Sequence, residues 1–347
     1  MKLFERVALM AQLGKVMHHL SIDNEWSVDE MGITKEQYDQ MQHVVRRVHV
    51  HNGWFTETAV RDAFDGISKW LDEKSLTEWA GPYAKEGDAK NVAIIMAGNI
   101  PLVGFHDFLS VFMSGNKALI KLSSDDRQLF PALFELMIAI NPEIKNWVEI
   151  REAQLTDFDA VIATGSNNSA NYFESYFGRY PNIIRKNRHS IAVLKGDETK
   201  DEIKELGKDV FAYFGLGCRN VTQVLIPKEF ILSRLFEGFF DYQDIVNHNK
   251  YANNYDYNKA VYLMNREELL DNGFLLLKED EKLSSPLGML HYKRYEKEED
   301  VTTYLNAHKD EIQAIVGKDY IPFGKAQSPE LTDYADYINT LEFLTKI

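Results

Sequence analysis

The sequence predicts an α/β fold, with a doubly wound parallel sheet followed by a second α/β layer. Short continuous apolar runs, such as residues 92–96, are typical of strands that are buried on both faces. These runs alternate with segments of helical periodicity, and such an alternation indicates β-α-β units. The length of 347 residues is also sufficient for two domains.

Residues 1–80 are predicted to form a polar, helical lead-in. Apolar residues recur at three- and four-residue spacing in segments 36–50 and 57–71, as on one face of a helix. Residues 27–30 and 34–37 have the pattern of a capping box, which starts a helix.

The other predicted elements follow from residue 91 onward. Strands are predicted at residues 92–96, 117–122, 147–150, 160–163, 191–194, 222–226, 274–277 and 289–292. Helices are predicted at residues 105–113, 127–140, 167–176, 203–214, 229–240 and 298–308. The charged run 278–282 is expected to be a solvated loop.

The amino-acid composition limits the classes of protein to which the chain can belong. Apolar residues make up 45% of the chain and charged residues 27%, as in soluble globular proteins. There is no signal-peptide pattern, and no apolar run reaches the roughly 18 residues of a membrane helix. We therefore expect a cytoplasmic protein without a transmembrane segment. The formal charge of −14 disfavours nucleic-acid binding, which needs a basic surface.

The single cysteine, Cys218, lies in a glycine-rich gap between a predicted helix and a predicted strand. One cysteine allows no intrachain disulfide and fits a reducing compartment. Gly215 and Gly217 permit tight turns, which would let the thiol reach a cleft and the backbone N–H face a substrate. Two interpretations stay open: a nucleophile, or a structural cysteine in the core or in a loop.

Asn99 follows the predicted strand 92–96 almost directly. Ligands of open α/β sheets bind outside the carboxyl ends of the strands. A side-chain amide at that place can donate a hydrogen bond to a developing oxyanion. An asparagine that caps the following turn fits the same position, so both interpretations are kept.

Groups that suit a phosphate follow two further predicted strands. Lys121, Ser123 and Ser124 end one strand, and Thr-Gly-Ser at residues 164–166 leads from another strand into a helix. Free N–H groups at a helix start attract phosphate. A nucleotide lying across this sheet edge would account for all of these groups, although the usual dinucleotide and phosphate-loop fingerprints are absent.

Two clusters of basic residues do not by themselves define a binding site. Residues 185–189, Arg-Lys-Asn-Arg-His, could hold a coenzyme phosphate or form a surface loop. His49 and His51 have no further ligand at metal spacing, so no metal site is predicted.

Four motifs, in their order and spacing, carry a family resemblance. They are Gly-Asn-Ile-Pro at residues 98–101, Gly-Asn-Lys-Ala-Leu-Ile-Lys-Leu-Ser at 115–123, Thr-Gly-Ser at 164–166 and Gly-x-x-Cys at 215–218. The chain resembles the aldehyde dehydrogenase superfamily in these motifs. It is most similar to the LuxC-type acyl-CoA reductases, which its tail at residues 324–344 also resembles.

The resemblance implies an aldehyde dehydrogenase-like fold with two domains and a C-terminal segment. These parts are a dinucleotide-binding domain with the lead-in at residues 1–200, a catalytic domain at 201–322 and a C-terminal segment at 323–347. It implies that Cys218 is the nucleophile, and that Asn99 holds the oxyanion together with the backbone N–H of Cys218. The implied residues for binding NADH or NADPH are Lys121, Ser123, Ser124, Thr164, Gly165 and Ser166.

The resemblance also implies a reaction, the reduction of an acyl-CoA thioester to an aldehyde with release of coenzyme A. Aldehyde-oxidising relatives carry a water-activating glutamate near the position of Arg185, and its absence favours thioester reduction. Two alternatives stay open: a cysteine-dependent acyltransferase or thioesterase, and a family member that binds without catalysis. Acyl chain length, the choice of NADH or NADPH, and the formation of a homo-oligomer stay open as well.

Overall fold

The computed structural model of the protein describes residues 1–27, 31–84 and 87–347. The chain divides into two compact units. The first unit comprises Met1–Lys186 and Glu330–Ile347, and the second comprises Asn187–Pro329. The boundaries between the units, after Lys186 and after Pro329, differ from the predicted domain limits at residues 200 and 322. The functions expected for the predicted domains stay predictions.

The first unit contains a five-stranded, all-parallel sheet in the order β3-β2-β1-β4-β5. Its strands are β1 (Asn91–Ile95), β2 (Lys117–Lys121), β3 (Val148–Ile150), β4 (Ala160–Thr164) and β5 (Asn182–Arg185). The helices are α1 (Leu3–Ser21), α2 (Lys35–Arg47), α3 (Glu57–Ser68), α4 (Glu73–Ala80), α5 (Phe105–Met113), α6 (Leu129–Ile140), α7 (Asn167–Phe177) and, near the C-terminus, α12 (Thr340–Thr345).

Alternate residues of these strands pack into two separate apolar clusters. On β1, Val92 and Ile94 belong to a large cluster with α1, α5 and α6, whereas Ala93 packs with Phe173 and Phe177 of α7. Both faces of the sheet are therefore covered, which explains why the strands read as continuous apolar runs. The predicted α/β fold with a doubly wound parallel sheet is confirmed.

The helical lead-in belongs to the same core as the sheet. Helix α2 begins with the predicted capping box, in which the Thr34 hydroxyl accepts from the Gln37 N–H at 3.3 Å and the Gln37 side chain accepts from the Thr34 N–H at 2.9 Å. The capping box predicted over residues 27–30 falls on residues 28–30, which lie outside the described residues.

The second unit contains a six-stranded sheet in the order β11-β6-β7-β10-β9-β8, parallel except for the β8–β9 pair. Its strands are β6 (His189–Val193), β7 (Val221–Pro227), β8 (Leu270–Asp271), β9 (Leu276–Glu279), β10 (Met289–Tyr295) and β11 (Ile312–Gly317). Its helices are α8 (Lys200–Phe211), α9 (Ser233–Phe239), α10 (Asn249–Met264) and α11 (Glu298–Ala307).

Some helices and strands of the second unit differ from the elements that the sequence predicts. Helix α10 was not predicted, because it buries only Tyr251 and Tyr255 and so lacks a regular apolar stripe. The solvated loop predicted for residues 278–282 is wrong for Lys278 and Glu279, which lie on β9. The Lys278 side chain is only 13% exposed. Its ammonium group pairs with Glu267 at 3.1 Å and Asp280 at 2.5 Å.

Within residues 1–27, 31–84 and 87–347, no helix has both the length and the apolar content needed to cross a bilayer.

Candidate functional site

The carboxyl edge of the first sheet contains a topological switch point. From β1 the chain proceeds to β2 and β3 on one side, and then continues with β4 and β5 on the other side of β1. Ligands of open α/β sheets bind outside the carboxyl ends of strands where the strand order reverses in this way. The segments after β1 and β4 therefore flank the place where the fold favours a ligand.

The segment after β1 is an ordered loop that carries Asn99 at an exposed position. Leu102, farther along this loop, has a left-handed backbone with φ of 56°. Its N–H donates to the buried carboxylate of Asp126 at 3.2 Å. Asp126 also accepts from the Leu129 N–H at 3.3 Å, and burial raises the pKa of Asp126. Asp126 thus ties the Asn99 loop to the start of α6, a role that the sequence analysis did not identify.

Lys121, Ser123 and Ser124 lie beside the Asn99 loop. Lys121 is opposite Ile95, the last residue of β1, and its ammonium group has no ion-pair partner among the described residues. A Cβ atom on Gly98 would lie 2.8 Å from the Cβ of Ser123, so the two segments approach as closely as only glycine permits. Ser124 is exposed.

Thr164, Gly165 and Ser166 connect β4 to the N-terminus of α7. Ser166 is the N-cap, and its hydroxyl accepts from the Ser169 N–H at 3.2 Å. A Cβ atom on Gly165 would lie 2.8 Å from the Cβ of Ser169. Thr164 and Gly165 are partly exposed and Ser166 is exposed, so the N-terminus of α7 is accessible to an anion.

Cys218 lies in the second unit, on a turn between α8 and β7. The Asn220 N–H donates to the Gly217 carbonyl at 3.0 Å and closes this turn. Ser190 Oγ donates to the Cys218 carbonyl at 3.0 Å, and Arg219 Nη1 donates to the Ala326 carbonyl at 3.2 Å. Cys218 itself is exposed, so the interpretation as a core residue is wrong, whereas a nucleophile and a structural loop cysteine both agree with this position.

Asn220 is a buried residue whose side chain bonds to the backbone at two places before Cys218, the end of α8 and Gly217. Its Nδ2 donates to the carbonyls of Asp209, Val210 and Ala212 at 3.1, 3.3 and 2.8 Å. Its Oδ1 accepts from the Gly217 N–H at 2.7 Å. Asn220 is not among the residues predicted from the sequence, although an asparagine in a glycine-rich turn is a known signal for side-chain bonding to the backbone.

Asp209 is the second buried residue that supports this turn. Its carboxylate accepts from the N–H groups of Gly324 and Ala326 at 2.6 and 2.9 Å. Burial raises the pKa of Asp209 to about 6. Because the Ala326 carbonyl accepts from Arg219, Asp209 fixes the loop to which the Cys218 turn is bound. No local sequence signal marks it, since its partners lie more than 100 residues away.

The backbone just before Cys218 adopts an uncommon conformation. Tyr213, Phe214 and Gly215 have φ values of 49°, 59° and 83°. Left-handed aromatic residues are strained and persist only where the surrounding structure holds them. The Phe214 ring stacks on His248, with the ring centroids 4.2 Å apart.

The basic cluster predicted at residues 185–189 does not form a single patch. Arg185 is buried in the first unit, where its guanidinium donates to Asp107 and, at 3.2 Å, to the Thr340 hydroxyl. Lys186 pairs with Glu174 at 2.9 Å. Arg185 therefore has a structural ion pair rather than an accessible phosphate contact.

The structure brings together most of the predicted site residues. Seven of them lie along the carboxyl edge of the first sheet: Asn99, Lys121, Ser123, Ser124, Thr164, Gly165 and Ser166. Cys218 belongs to the second unit. The part of the chain that the structure describes contains no group of three or more His, Cys, Asp or Glu side chains that could hold a metal ion.

Solved aldehyde dehydrogenases share this fold. Aldehyde dehydrogenase 21 from Physcomitrella patens, solved with succinate, gives a TM-score of 0.64 at 12% identity, over 92% of this chain and 74% of that chain. An aldehyde dehydrogenase from Mycobacterium tuberculosis, solved with NAD+, gives a TM-score of 0.62 at 14% identity, over 91% and 73% of the two chains. The protein therefore has an aldehyde dehydrogenase-like fold.

The family is established by sequence. A family model described as acyl-CoA reductase (LuxC) matches residues 34–229, more than half of the chain. This protein therefore belongs to the LuxC acyl-CoA reductase family, as the motifs indicated. A long-chain acyl-protein thioester reductase from Aliivibrio fischeri is 22% identical over 283 residues, which are 71% of this chain and 58% of that protein. The chain thus spans less than two thirds of the length of this curated relative.

Proposed function

We propose that this protein reduces a fatty acyl-CoA thioester to an aldehyde through an acyl-cysteine intermediate, with NADH or NADPH as the reductant. One observation carries the proposal. The only cysteine of a LuxC-family chain is exposed on a turn that Asn220, Ser190 and Arg219 hold. A nucleophile needs both properties, since it must reach the substrate and must have a fixed direction.

In the proposed reaction the Cys218 thiolate attacks the carbonyl carbon of the acyl-CoA. A bond forms from Sγ to that carbon, the bond from the carbon to the sulfur of coenzyme A breaks, and coenzyme A leaves as a thiolate that takes up a proton. A bound reduced nicotinamide would supply the hydride that converts the Cys218 thioester into the oxyanion of a thiohemiacetal. Cleavage of its carbon–sulfur bond then releases the aldehyde and returns the Cys218 thiolate.

Asn99 and the backbone N–H of Cys218 are the proposed donors to the oxyanion. Negative charge develops on the carbonyl oxygen in both tetrahedral states, so a fixed donor stabilises each of them more than the ground state. Such a donor typically contributes about 3–4 kcal/mol. The exposed position of Asn99 on a loop held by Asp126 supports this role.

The carboxyl edge of the first sheet is the proposed place for the nicotinamide dinucleotide. Its residues suit such a group, since Lys121 offers a cation that no described carboxylate pairs with, and Ser166 begins a helix whose N-terminus is accessible. Lys121, Ser123 and Ser124 would hold the ribose and hydroxyl groups, and residues 164–166 the phosphates. The cytoplasmic location and the homo-oligomer stay predictions.

The experiment that tests the function measures coenzyme A release and aldehyde formation in separate steps. Purified protein is mixed with acyl-CoAs of several chain lengths, first without a nicotinamide. We expect a stoichiometric burst of coenzyme A and then a stop, because no glutamate stands at the position of Arg185 to activate water. Addition of NADH or NADPH should restart turnover, and the loss of nicotinamide absorbance should equal the aldehyde formed.

Two other outcomes would each support one of the alternative functions. Steady release of coenzyme A without any nicotinamide would identify a thioesterase or an acyltransferase and would overturn the reductase proposal. Absence of both a burst and aldehyde with every acyl-CoA would indicate a family member that does not act on these thioesters. The Cys218→Ala variant, which lacks the thiol, is the control for background hydrolysis.

A further inference from the structure

We propose that Asn220 is a positioning residue that fixes the direction in which its turn presents Cys218. The inference rests on the proposed nucleophilic role of Cys218 and adds a residue outside the Gly-x-x-Cys motif. Asn220 acts through the backbone of the turn and is not itself proposed to contact the substrate.

The side-chain amide of Asn220 is fully buried and has one satisfied orientation. Nδ2 faces three carbonyl oxygens at the end of α8, of which that of Ala212 is nearest at 2.8 Å. Oδ1 faces the Gly217 N–H at 2.7 Å. Rotation of the amide by 180° would place donor against donor and acceptor against acceptor, so the surrounding groups determine its direction.

These bonds close the short loop that leads to Cys218. Ala212 stands just before the two left-handed residues Tyr213 and Phe214, and Gly217 stands just after the loop. Left-handed aromatic residues have easier conformations available, so the loop needs a constraint to keep them. Asn220 contributes to this constraint, together with the stacking of Phe214 on His248, by joining both ends of the loop.

Two other side-chain contacts of the turn act on a different part of the backbone. Ser190 holds the Cys218 carbonyl, and Arg219 binds the Ala326 carbonyl. Neither of these bonds reaches residues 212–217. Loss of the Asn220 amide would therefore break the link between the two ends of this loop, while the contacts of Ser190 and Arg219 remain. A displacement of about 1 Å at a reacting atom can cost roughly 10²-fold in rate.

A matched variant separates this role from a general loss of stability. Gln223 is also fully buried in the second unit, and its Nε2 donates to the carbonyls of Asp280 and Lys282 at 3.0 and 3.3 Å. Its Oε1 accepts from the Tyr304 hydroxyl at 2.9 Å. Gln223→Ala thus removes a similar set of bonds without touching the loop at residues 212–217.

The kinetic test compares Asn220→Ala with Gln223→Ala below the melting temperature of both variants. We expect Asn220→Ala to lower kcat about 10²-fold with an unchanged KM for the nicotinamide, and Gln223→Ala to retain the wild-type kcat. Asn220→Asp keeps an acceptor for the Gly217 N–H but loses the donor to Ala212, so its kcat should fall between those of the wild type and Asn220→Ala.

A second measurement does not depend on the proposed reaction. Since Cys218 is the only cysteine, the rate of alkylation by iodoacetamide across a range of pH reports on this thiol alone. We expect the pH profile of Asn220→Ala to differ from that of the wild type, and the profile of Gln223→Ala to coincide with it. If the wild type does not reduce any acyl-CoA, the proposed function fails, but the alkylation profiles still decide the role of Asn220.

Two results would overturn the role of Asn220. The first is an alkylation profile of Asn220→Ala that coincides with that of the wild type. The second is that neither Asn220 variant folds while Gln223→Ala does, which would make Asn220 a structural residue only.

Discussion

The two regions that carry the proposed chemistry are built by different means. At the edge of the first sheet, residues 121–124 and 164–166 take their positions from the ends of parallel strands and the start of a helix. At the Cys218 turn, the backbone is held by side chains, above all Asn220, Ser190 and Asp209. A site built from strand ends keeps its backbone position when one side chain is lost, whereas the backbone of a turn built from side-chain bonds depends on those side chains.

The largest effect is expected from the nucleophile of the Cys218 turn. Cys218→Ala should lower the rate of acyl-CoA reduction by at least about 10⁴-fold, because nothing else in the chain can form the thioester. Labelled acyl-CoA should leave its acyl label on the wild type and none on this variant. Equal labelling of both proteins would remove Cys218 from the mechanism.

The next largest effect concerns the sheet edge, where Asn99 is the proposed oxyanion donor. Asn99→Ala should lower kcat about 10²–10³-fold and leave nicotinamide binding intact. The matched control is Asn91→Ala, since Asn91 lies at the opposite end of β1. If steady-state kinetics give the same kcat for Asn99→Ala and the wild type, Asn99 only caps the turn.

Asp209 provides a test of the side-chain-held turn through stability. The pKa of Asp209 in the folded protein is about 6, above its usual value of 3.8. Between these two pH values, the folded protein therefore keeps a proton on Asp209 that the unfolded chain has lost. The contribution of this group to the free energy of unfolding should therefore fall as the pH rises from about 4 to about 6, and stay level above that.

Asp209→Asn removes this titration and should destabilise the protein by about 1–3 kcal/mol, because its amide would face a backbone N–H. Urea unfolding at several pH values measures both effects. The stability advantage of the wild type over the variant should shrink from about pH 4 to about pH 6. An advantage that grows over this interval would contradict the raised pKa.

The smallest effect is expected at Lys121, because neighbouring groups at the sheet edge share its task. Lys121→Ala should raise the KM for the nicotinamide about tenfold, which corresponds to about 1.4 kcal/mol, with little change in kcat. Lys117→Ala, at the amino end of the same strand, is the control. Equal KM values for the two variants would remove Lys121 from the cofactor site.

The same contrast explains what the sequence could predict. Strands β1, β2 and β4 are short apolar runs, and the position of Lys121 or Ser166 follows from where such a run stops. The roles of Asn220 and Asp209 depend on hydrogen bonds to backbone groups, some of them more than 100 residues away in the chain. No local pattern records the distant partners of Asp209, so its role could be found only in the structure, whereas the asparagine in a glycine-rich turn was a local signal for Asn220.

The return of residues 330–347 to the first unit bears on the order of events during synthesis. Trp79 Nε1 donates to the Tyr334 hydroxyl at 2.8 Å, across 255 residues of sequence, and Asn339 Nδ2 donates to the Tyr83 hydroxyl at 3.1 Å. Arg185 likewise finds Thr340 only after the whole second unit has been made. On the ribosome the second unit can therefore be complete before the first. A nascent chain must keep the apolar surface that will receive Leu341 and Leu344 from aggregating until α12 emerges.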